Sequence, residues 1–223
     1  MAFFLKNLLD RDNIVHDITD DVEKKVQHIV AQSDSLFGDD IVNAAFDLEH
    51  EPTRQMMKSH EGYYDIVERD IDGYLVGGWS DKLPPNSPLQ EGSPVDSTMA
   101  KDLFNASWES DKIDSKKLFH DFSNWTTGRQ AGILTILHIQ GYEKFTNLDN
   151  GFPTLIKEAN KPNPDWDRIA DEFKYASPLE SMAESQQSDL YIDTGGRSGG
   201  RGEHIYQLLK GTKTVDDILN LYK

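Results

Sequence analysis

The sequence contains no cysteine. That excludes disulfide frameworks and any zinc or iron–sulfur site built on thiolates, and it leaves the redox compartment open. Positive charge is scarce: 23 Lys and Arg stand against 39 Asp and Glu, for a formal net charge of −16. Broad contact with nucleic acid needs clustered Lys and Arg, and anionic membranes repel an acidic surface. Neither a nucleic-acid partner nor membrane insertion is expected. Long apolar runs are missing as well. The opening MAFFLKNLLDRD is far shorter than the roughly 20 residues that a spanning helix requires. It also lacks a basic leader and a small-residue cleavage site, so a standard secretory signal is not expected. Metal-ligand spacing is absent too. The seven histidines fall in no His-Glu-x-x-His pattern, and neither DITDD nor GDD forms an EF-hand loop. No metal site is expected.

What is present suits a folded chain. Its 223 residues are 37% hydrophobic and include Trp, Phe and Tyr in useful numbers, enough for one large domain or a domain with a small extension. No internal repeat occurs. Val22, Val26, Ile29 and Val30 share one face of an amphipathic helix over 17–31, capped by Thr19 or Asp20. A second helix over 39–48 would turn Ile41, Ala44 and Ala45 inward and end at Glu51-Pro52. Pro52 then opens another helix that carries Met56, Met57 and His60 and stops at Gly62. Ile66–Val67 and Tyr74–Val76 read as short strands joined by an Asp72-Gly73 turn. The proline-containing stretch 82–93 reads as a loop.

The rest is helical. Asp96 caps a helix bearing Met99, Ala100, Leu103 and Phe104, and a separate helix is expected over 115–122. Residues 127–140 are apolar nearly all round and should form a buried central helix. Helices over 154–160, 164–175 and 201–210 follow, with a polar loop at 177–193 and a short terminal helix over 215–222 capped by Thr214. One small hairpin in a helical chain makes the fold class α+β.

Two acids draw attention. Glu61 ends a helix, where the dipole is negative and a carboxylate is disfavoured, so a raised pKa and a general-acid role are natural expectations. On local pattern alone it reads more readily as a solvated last-turn residue. Asp70 precedes the hairpin turn, where Asp is also common for local reasons. Two carboxylates flanking a glycosidic bond are the usual glycosidase arrangement, and a helix end followed by a hairpin can place such a pair across a cleft. GGRSGGRG lacks the Lys-Ser/Thr ending of a phosphate loop and is not preceded by a strong strand. It reads as a tight turn. Arg201, opening the next helix, then calls for a carboxylate partner, because a cation is unfavourable at a helix N-terminus. Trp79, Trp108, Trp125 and Trp166 read first as core and second as sugar platforms.

The order of these pieces resembles the T-even phage lysozyme family, the muramidases of the phage endolysin type. HEG at Glu61-Gly62 resembles the family's catalytic Glu-Gly, and the Glu-x8-Asp spacing brings Asp70 onto its catalytic aspartate. Gly73 and Gly78 fall on its hairpin glycines. VDSTMAKDLFN, GFPTLIKEAN and GGRSGGRGEHIYQLLKGT are similar to its later segments, and Arg201 matches the arginine that pairs with the catalytic glutamate. The resemblance runs from about Thr53 to Thr212. It implies a mostly helical lysozyme-like fold with one small β-hairpin lobe and a long central helix. Gln140 or Asn147 would supply a polar residue of the substrate cleft. One position departs from the pattern: the family's strand threonine, which helps hold the attacking water, aligns with Val76. Valine has nearly the same shape but no hydroxyl. Ser80 or Tyr74 could supply one, Asp70 could handle water alone, or hydrolysis could be lost.

The resemblance implies a lysozyme-like domain over 51–223 and leaves a helical N-terminal extension, 1–50, outside it. That extension can serve as an attachment module or simply pack as extra structure. The implied activity is cleavage of the β-1,4 bond between N-acetylmuramic acid and N-acetylglucosamine by a glycosidase without cofactor. The implied partner is bacterial peptidoglycan, with other phage structural proteins as candidates for residues 1–50. The protein would be made in the host bacterial cytoplasm and act in the cell-wall layer, free or carried in a virion. The alternative is a lysozyme-like structural or glycan-binding component of a phage particle, with hydrolysis weakened or lost at Val76.

Overall fold

The computed structural model describes residues 38–70, 73–149, 151–175 and 200–222. The expected helix at 17–31, Asp72 of the hairpin turn and the polar loop at 177–193 lie outside them. The chain divides into two compact units, Met1–Glu51 and Pro52–Lys223.

In the first unit, α1 spans Gly38–Glu49. Of the residues expected inward, Ala45 is half-buried but Ile41 and Ala44 are exposed, whereas Phe46 and His50 are buried. Their rings meet at 4.2 Å. Residues four apart share a helix face, and an aromatic ring hides more apolar area than Ile41 can, so Phe46 sets the orientation.

In the second unit, α2 (Glu51–Glu61) buries Thr53, Met56 and Met57 and ends as expected at Gly62, with φ +74°. The small sheet follows. Strands β1 (Tyr64–Arg69), β2 (Leu75–Gly78) and β3 (Asp81–Lys82) run antiparallel in the order β1-β2-β3. The third strand is not evident in the sequence, since two residues carry no alternation to read. Gly78 stands at φ +65°, and a Cβ there would meet the Ala100 Cβ at 3.0 Å. This contact seats the sheet on α3 (Ser97–Leu118). Val67, Val95 and Ala100, with Leu75, Trp79, Leu83 and Met99 around them, form the core of the lobe.

Asp96 caps α3 as expected, accepting from the amides of Thr98 and Met99 at 2.8 and 2.9 Å. The separate helix expected over 115–122 does not exist. Its first turns belong to α3, and Phe122–Asn124 is a short 3-10 turn. The buried face continues unbroken through Ala100, Phe104, Trp108, Asp111 and Ser115, with no Gly or Pro to stop it. Helix α4 (Thr127–Phe145) is the central helix, with 130–137 wholly buried. It runs past the expected end at Gln140 through a kink at Gly141, φ +74°. Helices α5 (Pro153–Ala159), α6 (Trp166–Tyr175), α7 (Arg201–Lys210) and α8 (Val215–Leu219) complete the unit, with a 3-10 turn at Asn220–Tyr222. Gly132 lets α7 approach α4 closely, since a Cβ there would meet Leu209 at 2.9 Å. Met56, Ala131, Leu208, Val215 and Ile218 join α2, α4, α7 and α8 in a second core. No helix among the described residues is long and apolar enough to cross a membrane.

Candidate active site

Glu61 closes α2 and Arg201 opens α7. The structure brings them together in an ion pair between Arg201 Nη1 and Glu61 Oε1. Both side chains are mostly covered, at 13% exposure for Glu61 and 20% for Arg201. Each sits at the helix end that disfavours its charge, so each offsets the other's unfavourable dipole.

Asp70 follows β1, and the hairpin itself fixes it. Its Oδ1 accepts from the Tyr74 amide at 2.7 Å, and its own amide donates to the Tyr74 carbonyl at 2.8 Å. Val76 lies mid-strand in β2, between Glu68 of β1 and Lys82 of β3, and is only 7% exposed. Of the two hydroxyls considered as substitutes, Tyr74 is half exposed with the Lys82 ammonium 4.1 Å from its ring centroid. Ser80 stands in the β2–β3 turn at φ +62°, a left-handed conformation that costs a non-glycine residue about 1 kcal/mol or more.

The two cleft-residue candidates differ. Gln140 lies just before the central-helix kink, and its Oε1 is buried with no hydrogen-bond partner. Asn147 is exposed, and its Oδ1 accepts from the Asp149 amide at 2.8 Å, a local turn bond. Among the tryptophans, Trp108 is core at 1% exposure. Trp79 is half-buried, and its ring continues a chain from Tyr63 through Phe104 to His138 at centroid spacings of 5.4, 5.9 and 5.6 Å. Trp125 and Trp166 are half-buried against each other at 4.8 Å.

Two clusters around Glu61 were not legible in the sequence. The first joins three elements. His138 of α4 places Nδ1 3.0 Å from Asp111 Oδ2 of α3, and Nε2 3.9 Å from Asp81 Oδ1 of β3. Neither Asp81 oxygen has a hydrogen bond of regular geometry, although the Ser107 hydroxyl and the Trp79 backbone lie beside it. Burial pushes the Asp81 carboxyl up to about 6 and raises Asp111 in the same direction. Burial works against a charged His138. The Asp111 hydrogen bond and the charges of Asp111, Asp81 and Glu61 outweigh it, so the imidazole is raised. The second cluster is His60, His204 and Tyr222. Burial, then the neighbouring His204, then Arg201 push His60 down to about 3. The sequence shows His60 beside Glu61 and His204 one turn after Arg201, but nothing local says that the two meet.

No protein-family model matches the chain, and no curated protein does. Solved structures do match. The muramidase domain of SpmX from Asticaccaulis excentricus superposes with a TM-score of 0.50 at 16% identity, covering 71% of this chain and 95% of that one. The active form of the P1 phage endolysin Lyz superposes with a TM-score of 0.52 at 10% identity, covering 73% and 84%. The fold is lysozyme-like. At these identities the likeness is one of fold, and it agrees with the expected α+β class: a helical body, a small antiparallel sheet and a buried central helix.

Proposed function

We propose that this chain is a peptidoglycan hydrolase, a muramidase that cleaves the β-1,4 bond between N-acetylmuramic acid and N-acetylglucosamine. The observation that carries the reading is the Glu61–Arg201 pair, set where a helix end enters a small sheet in a lysozyme-like fold. Glu61 gives its proton to the leaving glycosidic oxygen while the sugar develops oxocarbenium character. Asp70, on the hairpin, stabilises that positive charge or takes a proton from the attacking water. Arg201 fixes the Glu61 carboxyl by donating from Nη1 to Oε1, which leaves Oε2 to carry the proton. Gln140, with its buried unpaired oxygen, is the better of the two candidates for a substrate contact. Acid/base chemistry of this kind calls for neither a metal nor an organic cofactor.

The finer reading is a member of the T-even phage lysozyme type, inverting, with residues 1–50 as an attachment module toward other phage structural proteins. The protein would then be made in the host bacterial cytoplasm and act in the cell-wall layer, as part of the virion or free. One observation favours a second reading. Val76 is a buried aliphatic side chain at the position where the resemblance expects a water-holding hydroxyl. A lysozyme-like structural or glycan-binding component, with hydrolysis weakened or lost, would tolerate that residue.

The test is clearing of a purified peptidoglycan suspension by the wild type and by Glu61→Gln, with new reducing ends counted in parallel. Loss of one general acid typically costs about 10²–10⁴-fold. Equal rates for the two proteins would overturn the enzymatic assignment. An inert wild type that still sediments with peptidoglycan would select the glycan-binding reading.

A further inference from the structure

Beside the Glu61–Arg201 pair stands a group that the proposed reaction does not use. His60 Nε2 and His204 Nδ1 are 3.2 Å apart, and their rings stack with centroids at 5.4 Å. The Tyr222 hydroxyl, from the final 3-10 turn, lies 3.3 Å from the same His204 Nδ1. Its ring meets both imidazoles edge-on, at 5.6 and 5.9 Å.

Taking Tyr222 as the donor assigns the remaining protons. Tyr222 is held well on the protonated side, since burial raises its phenol above the usual value, so it has an O–H to give. The acceptor is His204 Nδ1, which then carries no hydrogen. Facing that same lone pair, His60 Nε2 must donate. Both rings are therefore neutral, with the His204 hydrogen on Nε2. The outer nitrogens, His60 Nδ1 and His204 Nε2, are buried and have no hydrogen-bond partner. A proton added to His204 Nδ1 would set it against the His60 N–H and break that bond, while the Tyr222 oxygen turns to accept.

The placement of this group gives it a consequence for the site. Neighbouring residues of α2, His60 and Glu61, meet residues one turn apart on α7, His204 and Arg201. A single ion pair between long side chains leaves the two helix ends free to rotate; two contacts one turn apart do not. Arg201 needs this support, because it is the first residue of its helix, where the chain frays and a cation is disfavoured.

We propose that His60, His204 and Tyr222 form an uncharged clasp that positions Arg201 on Glu61. Burial is the main reason it stays uncharged, and the nearby cations Arg201 and Lys213 act in the same direction. His60 faces Arg201 and His204, and lies next to Glu61 in the chain. His204 is held below the ordinary imidazole value by burial and by Lys213, against the opposing charge of Glu203. Arg201 also acts on Tyr222. The catalytic part of the inference rests on the muramidase reading; the structural part does not.

The experiment uses the full chain with His204→Phe, which keeps a ring but removes the acceptor, and with Tyr222→Phe, which removes one donor. Nitrogen-detected NMR follows the His60 imidazole and the Arg201 side chain as pH is lowered from 8 to 4. In the wild type, His60 does not titrate over that range and the Arg201 side-chain signal persists. In His204→Phe the Arg201 signal exchanges at least about tenfold faster at pH 7, and the His60 midpoint rises by about one unit or more toward the free imidazole value. Tyr222→Phe shifts both in the same direction, by less. Arg201 exchange unchanged in both variants would overturn the clasp, as would a wild-type His60 that titrates near 6.5. The activity readout runs in parallel: kcat falls about tenfold with KM within about twofold, as expected when an interaction specific to the transition state is lost. If the wild type cleaves nothing, the hydrolase reading fails, and the Arg201 signal still decides the clasp. Should His204→Phe not fold, Tyr222→Phe alone carries the test.

Discussion

Replacing Asp81 by Asn should change the pH dependence of stability in a direction fixed by the structure. The Asp81 side chain has 0% exposure, and its carboxyl is pushed up to about 6 from 3.8. A carboxyl whose folded value lies above its unfolded value is worth most when protonated. Its contribution is complete below about pH 3.8 and is lost as pH rises through about 6. His138 is also raised, so its contribution is present below the ordinary imidazole value and is likewise lost on the alkaline side. The cluster as a whole therefore weakens the fold between pH 4 and 8. A shift of roughly two units corresponds to an upper bound of about 3 kcal/mol for Asp81 alone. Asn imitates the protonated acid in shape and cannot ionise, so it removes the Asp81 share. It also takes a counter-charge from His138 at 3.9 Å, which cuts the net gain to about 1–2 kcal/mol by pH 8. Urea unfolding of wild type and Asp81→Asn at pH 4, 6 and 8 measures this. The two midpoints should nearly coincide at pH 4 and separate in favour of the variant by pH 8, with equal m-values. Parallel curves across the three pH values would show that Asp81 is not ionising inside the protein, and the reasoning would fail.

Two further substitutions test the hairpin lobe. Val76→Thr places a hydroxyl at a site with 7% exposure; it should lower stability by about 1–3 kcal/mol if the hydroxyl finds no partner. If the hydroxyl holds water, it should raise the rate of peptidoglycan clearing about tenfold, and a stability loss with no rate gain would remove Val76 from the explanation of any weak activity. Gly78→Ala should cost about 2–4 kcal/mol, because it combines φ +65° with a Cβ placed 3.0 Å from Ala100, measurable as a lowered urea midpoint; a loss under 0.5 kcal/mol would mean that the sheet does not seat on α3 through this contact.

Much of the fold was legible because its signals are local. The Asp96 cap, the glycine stop after Glu61, the Pro-opened helix and the apolar run of α4 each announce themselves within a few residues. The errors arose where a local signal was weak against a longer-range one. The polar middle of helix α3, residues 109–114, reads as a break between two helices, yet Asp111 and Lys112 within it are buried, Asp111 against His138 of α4. The inward face of α1 reads from sequence as Ile41, Ala44 and Ala45, of which only Ala45 is half-buried, and Phe46 and His50, four residues apart, are the buried pair. Glu61, Asp70 and Arg201 stand out as candidates by order and spacing, and the carboxylate partner that the helix end calls for at Arg201 is Glu61. The two histidine clusters are pairings across 27 and 144 residues of chain. No periodicity records such contacts, since each histidine taken singly looks like an ordinary polar residue on a helix.

The Asp81 cluster bears on how a rate profile for this protein should be read. An acidic group that must stay protonated for hydrolysis produces a falling limb as pH rises, and such a limb near pH 6 would ordinarily be assigned to the proton donor. Here a second carboxyl changes charge at about 6, and it couples through His138 to the charge of Glu61. The limb then belongs to the coupled set rather than to one residue. Asp81→Asn separates the cases, because it removes a titrating group while leaving Glu61, Arg201 and Asp70 in place. If the limb moves or flattens in the variant, the buried cluster shapes it. If the limb stays where it was, the donor titrates on its own, and the field of His138 does not reach it with useful strength.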